Sequence, residues 1–270
     1  MLLGAQNGIV CIGNTDMDYV SFGKGKNILV MLPGLAEGLK TVKGMALPLA
    51  WWYREYAKEY TVFIFSRKNV LPENYSTQDM AEDQAKAMIA LGITNANIMG
   101  VSQGGMIAQN LVIGHPELVK KLVLVVTLAQ QNEIIQNTAS DWISMAEHGD
   151  YKSLMIDTAE KTYSEKFLKK YRHLYPFLGM IGKPKDFKRF LIQAKSCLHH
   201  DAYSQLDQIL CPTLVLGGAC DQIVGKTAAV ELADQIINSE LYIYSGLGHA
   251  AYEEARDFNQ RVLRFLEKQK

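Results

Sequence analysis

Asn97-Ile98-Met99-Gly100-Val101-Ser102-Gln103-Gly104-Gly105 is the part of this 270-residue chain that says most about its fold. The first residues form a short apolar run typical of a buried strand, and residues 106–112 continue with a helix-like pattern. A G-x-S-x-G motif between a strand and a helix is typical of a sharp turn that lifts a serine hydroxyl out of the backbone. The alternative is a serine that only caps the helix. The context favours Ser102 as a nucleophile.

A serine hydroxyl is a weak nucleophile, so it needs a base within hydrogen-bond reach and a group that orients this base. A strand-like run over residues 241–244 is followed by two glycines and then His249, which we expect to be the base. The continuous apolar run over residues 212–218 is typical of a strand covered on both faces, and it leads into a loop with Asp221. We expect Asp221 to orient His249.

The order Ser102, Asp221, His249 along the chain is the order of α/β hydrolases. The chain resembles this superfamily outside about residues 128–200, and its motifs are similar to those of small cytoplasmic esterases, enol-lactonases and carbon-carbon bond hydrolases. The segments that carry the resemblance are Leu32-Pro33-Gly34, Gly100 to Gln109, the run from His200 to Leu206 with Cys211 to Val215, and Gly246 to His249. Two positions differ from the usual pattern. Pro33 stands where many relatives have histidine, and Ser66 where many have aspartate before Arg67.

The resemblance also implies an oxyanion hole made of two backbone amides. One is the amide of Gln103, directly after the nucleophile, and the other is the amide of Leu35 in the loop after an apolar run over residues 27–32. Donors of this kind stabilise the negative oxygen of a tetrahedral intermediate by a few kcal/mol each. Local chemistry alone allows Pro33-Gly34 to be a simple turn.

The composition fits a globular enzyme and disfavours other classes. Apolar residues make up 48% of the chain, enough for a large core. Lys plus Arg and Asp plus Glu both number 28, so no strong field attracts nucleic acid or an anionic membrane. The longest apolar runs are shorter than the roughly 18 residues of a membrane-spanning helix.

The location expected from the sequence is the cytoplasm. The first seven residues lack the basic and apolar regions of a secretory signal. The four cysteines, Cys11, Cys197, Cys211 and Cys220, have no C-x-x-C spacing, and we expect free thiols in a reducing compartment. No pattern of the chain indicates a metal or another cofactor.

Strand and helix patterns alternate along most of the chain, which predicts an α/β fold with a mostly parallel, eight-stranded sheet and helices on both faces. An antiparallel hairpin is expected first, over residues 8–12 and 16–22. The further predicted strands are 27–32, 61–66, 97–101, 121–127, 213–218 and 240–244. The predicted helices between them are about 44–59, 77–91, 103–114, 225–237 and 251–268.

Residues 128–208 lack a strand pattern, and we interpret them as a helical cap inserted into a core of residues 1–127 and 209–270. Cap helices are expected at about 130–148, 151–162, 164–175 and 185–198. The cap would cover the nucleophile and exclude water. Its apolar side chains favour a small-molecule substrate with an apolar moiety, although many of them also serve to pack the cap on the core. They are Met145, Leu154, Met155, Phe167, Tyr171, Tyr175, Phe177, Leu178, Met180 and Phe190.

Three other clusters are weaker candidates. His199 and His200 have no evident third metal ligand and point in different directions on a helix. Trp51-Trp52-Tyr53 lies within a helical pattern and is interpreted as packing and surface. Cys220 lacks a turn like that of Ser102, so we do not expect it to be a nucleophile.

The sequence therefore predicts a serine hydrolase that cleaves a small carboxylic ester, thioester or lactone through an acyl-enzyme on Ser102. Carbon-carbon bond cleavage, amide or peptide hydrolysis and perhydrolysis remain alternatives, because they use nearly the same triad. An aminopeptidase would need cap carboxylates facing the substrate amine. A different class of function is a ligand sensor, in which the cap signals to a protein partner. Multiple turnover would distinguish an enzyme from a sensor.

Overall fold

An eight-stranded sheet forms the centre of the computed structural model, which describes residues 2–179 and 182–268. The strand order is β1-β2-β4-β3-β5-β6-β7-β8. The β1–β2 and β2–β4 pairs are antiparallel, and the other neighbours are parallel. This confirms the predicted sheet. The strands are β1 (Gln6–Ile12), β2 (Thr15–Phe22), β3 (Asn27–Leu32), β4 (Tyr60–Lys68), β5 (Ala96–Val101), β6 (Val119–Val125), β7 (Thr213–Gly218) and β8 (Ser239–Tyr244).

Helices follow most strands of the parallel part of the sheet. They are α1 (Ala46–Trp52), α2 (Thr77–Ala90), α3 (Gln103–Gly114), α4 (Glu133–Glu147), α5 (Tyr151–Thr162), α6 (Glu165–Tyr171), α7 (Tyr175–Leu178), α8 (Lys188–Cys197), α9 (Ala228–Gln235), α10 (Ala251–Glu254) and α11 (Phe258–Glu267). Short 3₁₀ turns lie at Leu2–Gly4, Leu35–Gly38, Tyr56–Lys58, Pro116–Leu118, Arg172–Leu174 and Tyr203–Gln208. Across these ranges no helix is long and apolar enough to cross a membrane.

The two faces of the sheet are buried under different helices. Successive side chains of a strand point to opposite faces, so Leu29 and Met31 of β3 join one buried cluster while Val30 and Leu32 join the other. The first cluster includes side chains of α1 and α11, and the second includes side chains of α2, α3 and α9. The prediction of helices on both faces is confirmed.

Two predicted helices are shorter than expected. The helix predicted at 44–59 ends at Trp52 and is followed by a turn and a 3₁₀ segment. Tyr56 in that segment is fully buried, and its hydroxyl donates to Asn259 Oδ1 at 2.9 Å, so tertiary packing overrides the helical pattern. The helix predicted at 251–268 is two helices, because Ala255 has an extended backbone with φ −78° and ψ 119°.

Smaller corrections concern element ends. The helix predicted at 225–237 begins only at Ala228, since Gly225 has a φ of 89° that no regular α-helix contains. The strand predicted at 121–127 ends at Val125, because Val126 also has a positive φ. The helix predicted at 164–175 ends at Tyr171, and a 3₁₀ turn and α7 follow.

The helices α4 to α8 lie between β6 and β7 and are here called the cap helices. The chain leaves and returns at adjacent points, where Ala202 N–H donates to Ala129 O at 2.8 Å and Gln130 pairs with Asp201 in an antiparallel bridge. One hydrophobic cluster joins cap side chains to Met106 of α3 and to Ile223 and Val224. The domain boundaries proposed above stay a prediction, and Met180 lies outside the described residues.

Candidate active site

Ser102 lies between the end of β5 and the first residue of α3. Its backbone has φ 53° and ψ −120°, a conformation that non-glycine residues rarely adopt and that is typical of strained functional sites. The backbone is fixed on both sides, because Ser102 N–H donates to Val125 O at 2.9 Å and Ser102 O accepts from Thr127 Oγ1 at 2.8 Å. The side chain makes no capping hydrogen bond to α3. The hydroxyl is therefore not used as a helix cap.

The glycines around Ser102 are required by close contacts of the backbone. A methyl group on Gly100 would lie 2.4 Å from Gly104 O, and one on Gly105 would lie 2.6 Å from the Thr127 side chain. Gly34, in the loop after β3, also lies close to Ser102: a methyl group on Gly34 would be 3.9 Å from Ser102 Oγ. The contact at Gly100 explains the first glycine of the G-x-S-x-G motif, and Gly105 directly follows the second, Gly104.

Asp221 and His249 form a buried pair. His249 Nδ1 and Asp221 Oδ2 are 2.8 Å apart, and the two side chains are only 8% and 2% exposed. The other oxygen, Asp221 Oδ1, accepts from the backbone N–H groups of Ile223 at 2.9 Å and Val224 at 3.0 Å. Because an ionised carboxylate only accepts hydrogen bonds, Nδ1 carries the shared proton and Nε2 of the neutral ring is left as an acceptor.

The topology places these three residues at the same edge of the sheet. Ser102 follows β5, Asp221 follows β7 and His249 follows β8, and all these strands are parallel. The structure brings Asp221 and His249 into contact. Within residues 2–179 and 182–268 it records no hydrogen bond between Ser102 Oγ and His249. Catalytic hydrogen bonds often tighten only when substrate binds.

The two predicted oxyanion donors are at the starts of helical turns. Leu35 is the first residue of the 3₁₀ turn after β3, and Gln103 is the first residue of α3. The first amides of a helix have no intrahelical acceptor, so neither N–H group is used by its own helix, as an anion-binding donor requires. Gly34 brings the two donors to the same place, since it directly precedes Leu35 and lies beside Ser102, the neighbour of Gln103.

The side chain of Gln103 contacts a charged network that the sequence did not indicate. Gln103 Oε1 accepts from Arg67 Nη2 at 3.3 Å, and Gln103 Nε2 donates to Gln193 O of α8 at 2.8 Å. Arg67 and Glu37 are both 3% exposed. The sequence shows only that Arg67 lies near the end of the apolar β4 run and that Glu37 lies in the loop that carries Leu35, and neither position reveals that the side chain is buried.

The weaker candidates have other environments. His200 is buried, with Nδ1 at 2.9 Å from Thr77 Oγ1. Nowhere in the described part of the chain do three or more His, Cys, Asp or Glu side chains gather as a metal site would require. Trp51 and Trp52 are more than half exposed on α1, and Cys220 is an exposed free thiol.

Comparison with known proteins identifies the family. A family model for the alpha/beta hydrolase fold matches residues 27–178, more than half of the 270 residues. The chain therefore belongs to the α/β hydrolase family of enzymes, as its motifs predicted.

Relatives and solved structures agree with this class. The 2-hydroxy-6-oxononadienedioate/2-hydroxy-6-oxononatrienedioate hydrolase 2 of Pseudomonas putida is 25% identical, with 93% of this chain and 91% of that protein covered. The structure of MGS-M2, an alpha/beta hydrolase enzyme from a Medee basin deep-sea metagenome library, matches with a TM-score of 0.85 and 22% identity over 97% of this chain and 98% of that one. The enol-lactonase from Burkholderia xenovorans LB400 matches with a TM-score of 0.81 and 17% identity over 97% and 100%. At these identities the structures support the fold.

Proposed function

We propose that the chain is a serine hydrolase that cleaves a small carboxylic ester, thioester or lactone through an acyl-enzyme on Ser102. The observation that carries this proposal is the buried His249–Asp221 pair at 2.8 Å, at the same sheet edge as a serine with φ 53°. A serine in this conformation that does not cap its helix has no evident structural use. A histidine oriented by a carboxylate is the usual partner of such a serine.

The chemistry follows from the atoms that remain available. Ser102 Oγ attacks the acyl carbonyl carbon while His249 Nε2 takes its proton, and Asp221 stabilises the imidazolium through Nδ1–H. The amides of Leu35 and Gln103 donate to the carbonyl oxygen as it becomes negative. The imidazolium then gives its proton to the leaving alcohol or thiol. A water molecule repeats the sequence on the acyl-enzyme and releases the acid.

The substrate class that we propose is a small molecule with an apolar moiety. The cap helices α4, α5 and α8 support this proposal, because their side chains pack in one apolar cluster with Met106 of the nucleophile helix and with Ile223 and Val224 beside Asp221. A separate row of aromatic rings lies at α6, where the ring centroids of Tyr163 and Phe167 are 4.2 Å apart and those of Phe167 and Tyr171 are 4.4 Å apart. The four cysteines are free thiols, which supports a cytoplasmic location.

Carbon-carbon bond hydrolysis is the second candidate function. The observation that favours it is the 25% identity to the Pseudomonas putida hydrolase named above, which extends over 91% of that protein. The same side chains would serve both reactions, so the choice depends on the pocket rather than on the triad.

The test is a comparison of wild type with Ser102→Ala and Ser204→Ala on a substrate panel. Ser204 is exposed and makes a matched control. The panel contains p-nitrophenyl esters of increasing acyl length, lactones, an aminoacyl amide and a 2-hydroxy-6-oxo-dienoate. We expect Ser102→Ala to lose ester hydrolysis and labelling by a fluorophosphonate, while Ser204→Ala retains both.

Each other result has a distinct meaning. Undiminished labelling of Ser102→Ala would remove Ser102 from the mechanism. Turnover of the dienoate alone would favour the carbon-carbon hydrolase, and turnover of the amide alone would favour an aminopeptidase. A single slow product equivalent per chain, with a ligand-dependent partner complex, would favour the sensor.

A further inference from the structure

Behind the two predicted oxyanion donors lies a buried network of charged and amide side chains. Glu37 Oε1 accepts from Arg67 N–H at 3.2 Å and from Arg189 Nη2 at 2.6 Å, and Glu37 Oε2 accepts from Gln193 Nε2 at 2.6 Å. Arg189 also donates to the carbonyl oxygens of Arg67 and Lys68. The Glu37 carboxylate thus binds the Arg189 guanidinium and the backbone N–H of Arg67, and Gln193 and Arg189 belong to the cap helix α8.

One guanidinium nitrogen connects both halves of the oxyanion hole. Arg67 Nη2 donates to Pro33 O at 2.6 Å and to Gln103 Oε1 at 3.3 Å. Pro33 O lies in the loop two residues before the Leu35 amide, and the Gln103 side chain belongs to the residue that supplies the other amide. A movement of Arg67 would therefore change the relative position of the two donors.

The cap helix α8 holds the side chain of Gln103 by hydrogen bonds. Gln103 Nε2 donates to Gln193 O at 2.8 Å and to Ser196 Oγ at 3.1 Å. The loop of Leu35 packs directly on the same helix, since a methyl group on Gly38 would lie 2.8 Å from Phe190 Cα. Gln193 is completely buried. The cap helix α8 and the loop that carries Leu35 are therefore linked by the same network of hydrogen bonds.

A contribution to stability is a weak explanation for the buried charges of Glu37 and Arg67. Burial lowers the pKa of Arg67, and the carboxylate of Glu37 acts in the opposite direction. Buried ion pairs often contribute no more to stability than apolar residues of the same size. Catalysis, in contrast, needs donors held within roughly 0.5 Å of the correct position. The excess positive charge of the two arginines also favours an anionic oxygen nearby.

We propose that Arg67 is a positioning residue that aligns the Leu35 and Gln103 amides for the oxyanion, and that Glu37, Arg189 and Gln193 hold Arg67 in place. This inference rests on the proposed serine hydrolase function. Arg67 acts through Pro33 O and Gln103 Oε1 and does not touch the reacting atoms.

The test compares wild type with Arg67→Met, Arg67→Lys, Gln103→Leu and the exposed control Arg256→Met. The readouts are kcat and KM for a short p-nitrophenyl ester, the Ki of a trifluoromethyl ketone that forms a tetrahedral adduct, and thermal unfolding. We expect Arg67→Met to lower kcat about 100-fold with KM changed less than about threefold, and to raise the Ki by a similar factor. Arg67→Lys should lose less, and Arg256→Met should match wild type.

The outcomes separate this inference from the proposed function. A wild type that neither hydrolyses esters nor reacts with a fluorophosphonate would overturn the proposed function. An active wild type with an unchanged kcat and Ki in Arg67→Met would overturn only the positioning role, even if the melting temperature fell. If Arg67→Met does not fold, Arg67→Lys and Gln103→Leu decide: unchanged kcat and Ki in both would overturn the role.

Discussion

Gly104 and Leu32 approach so closely that a methyl group on Gly104 would lie 1.9 Å from the carbonyl oxygen of Leu32. Leu32 ends β3 and Gly104 is the second residue of α3, so this contact joins the loop of the predicted oxyanion donor to the helix that follows Ser102. A backbone carbonyl cannot rotate away as a side chain can. The geometry of the proposed site thus depends on the absence of one side-chain atom.

Gly104→Ala is expected to destabilise the protein and to disturb the site. Overpacking typically costs about 1–3 kcal/mol, and a clash with backbone should reach the upper part of this range. Gly114→Ala is the matched control, because Gly114 ends the same helix and a methyl group there would meet only Glu82 Oε1 at 3.5 Å. Urea unfolding and the rate of fluorophosphonate labelling measure the effect. Equal behaviour of the two variants would contradict the role of this contact.

The sequence predicted the parts of the fold that depend on local pattern. The run of residues 97–101, the glycine motif and the alternation of strands and helices each require only neighbouring residues, and they predicted β5, the turn at Ser102 and the parallel sheet. Asp221 and His249 were predicted from loop position and chain order, and the structure brings them together.

Features that depend on distant contacts could not be predicted. The end of α1 depends on the burial of Tyr56 against a residue about 200 positions away, which no local pattern contains. Similarly, Glu37 and Arg189 are 152 residues apart and resemble ordinary surface charges in the sequence. Only the fold shows that Arg189 is paired with the buried carboxylate of Glu37.

Asp221→Asn is expected to lower turnover on the order of ten-thousandfold, as the equivalent change does in a serine protease triad. Asp221 Oδ1 accepts two backbone N–H groups, so an asparagine would place its carbonyl oxygen there and turn its NH₂ group toward His249 Nδ1. The ring would then carry its proton on Nε2 and could not accept the proton of Ser102. Steady-state kinetics measure the loss, with the exposed Asp234→Asn as control. A loss below about tenfold would indicate another acid.

His200 is expected to make the protein less stable in mild acid. Burial lowers the pKa of His200 to about 4, below the ordinary value of 6.5, so the unfolded chain binds a proton more readily than the folded one. The neutral histidine costs nothing above the unfolded pKa, and stability falls as the pH drops from 6.5 toward 4. Between about pH 7.5 and pH 5 this single group removes roughly 2 kcal/mol from the free energy of unfolding.

The variant His200→Gln tests this linkage by urea unfolding at the two pH values. Its free energy of unfolding should fall less between them than that of wild type, whatever its stability at the higher pH. His148 is an exposed histidine, and His148→Gln should keep the wild-type pH dependence. The same fall in wild type and His200→Gln would show that other groups cause the acid sensitivity.

Glu254 is expected to hold the cap against the loop of the proposed base. Its carboxylate accepts from both the N–H and the Oγ–H of Ser164, the N-cap residue of α6, and Ala250 N–H beside His249 donates to Thr162 O at 2.8 Å. Hydrogen bonds to a charged group are worth about 1.5–3 kcal/mol, so Glu254→Ala should lower the free energy of unfolding by this order and speed proteolysis between α5 and α6.

Glu231→Ala is the control, because it removes an exposed hydrogen bond to Thr227 outside the cap and should cost well under half as much. The Ala250–Thr162 hydrogen bond beside His249 joins the same two segments, so their loosening should also lower kcat in Glu254→Ala, while kcat stays unchanged in Glu231→Ala. An equal loss of stability in both variants, with protease cleavage unchanged, would show that this contact does not hold the cap.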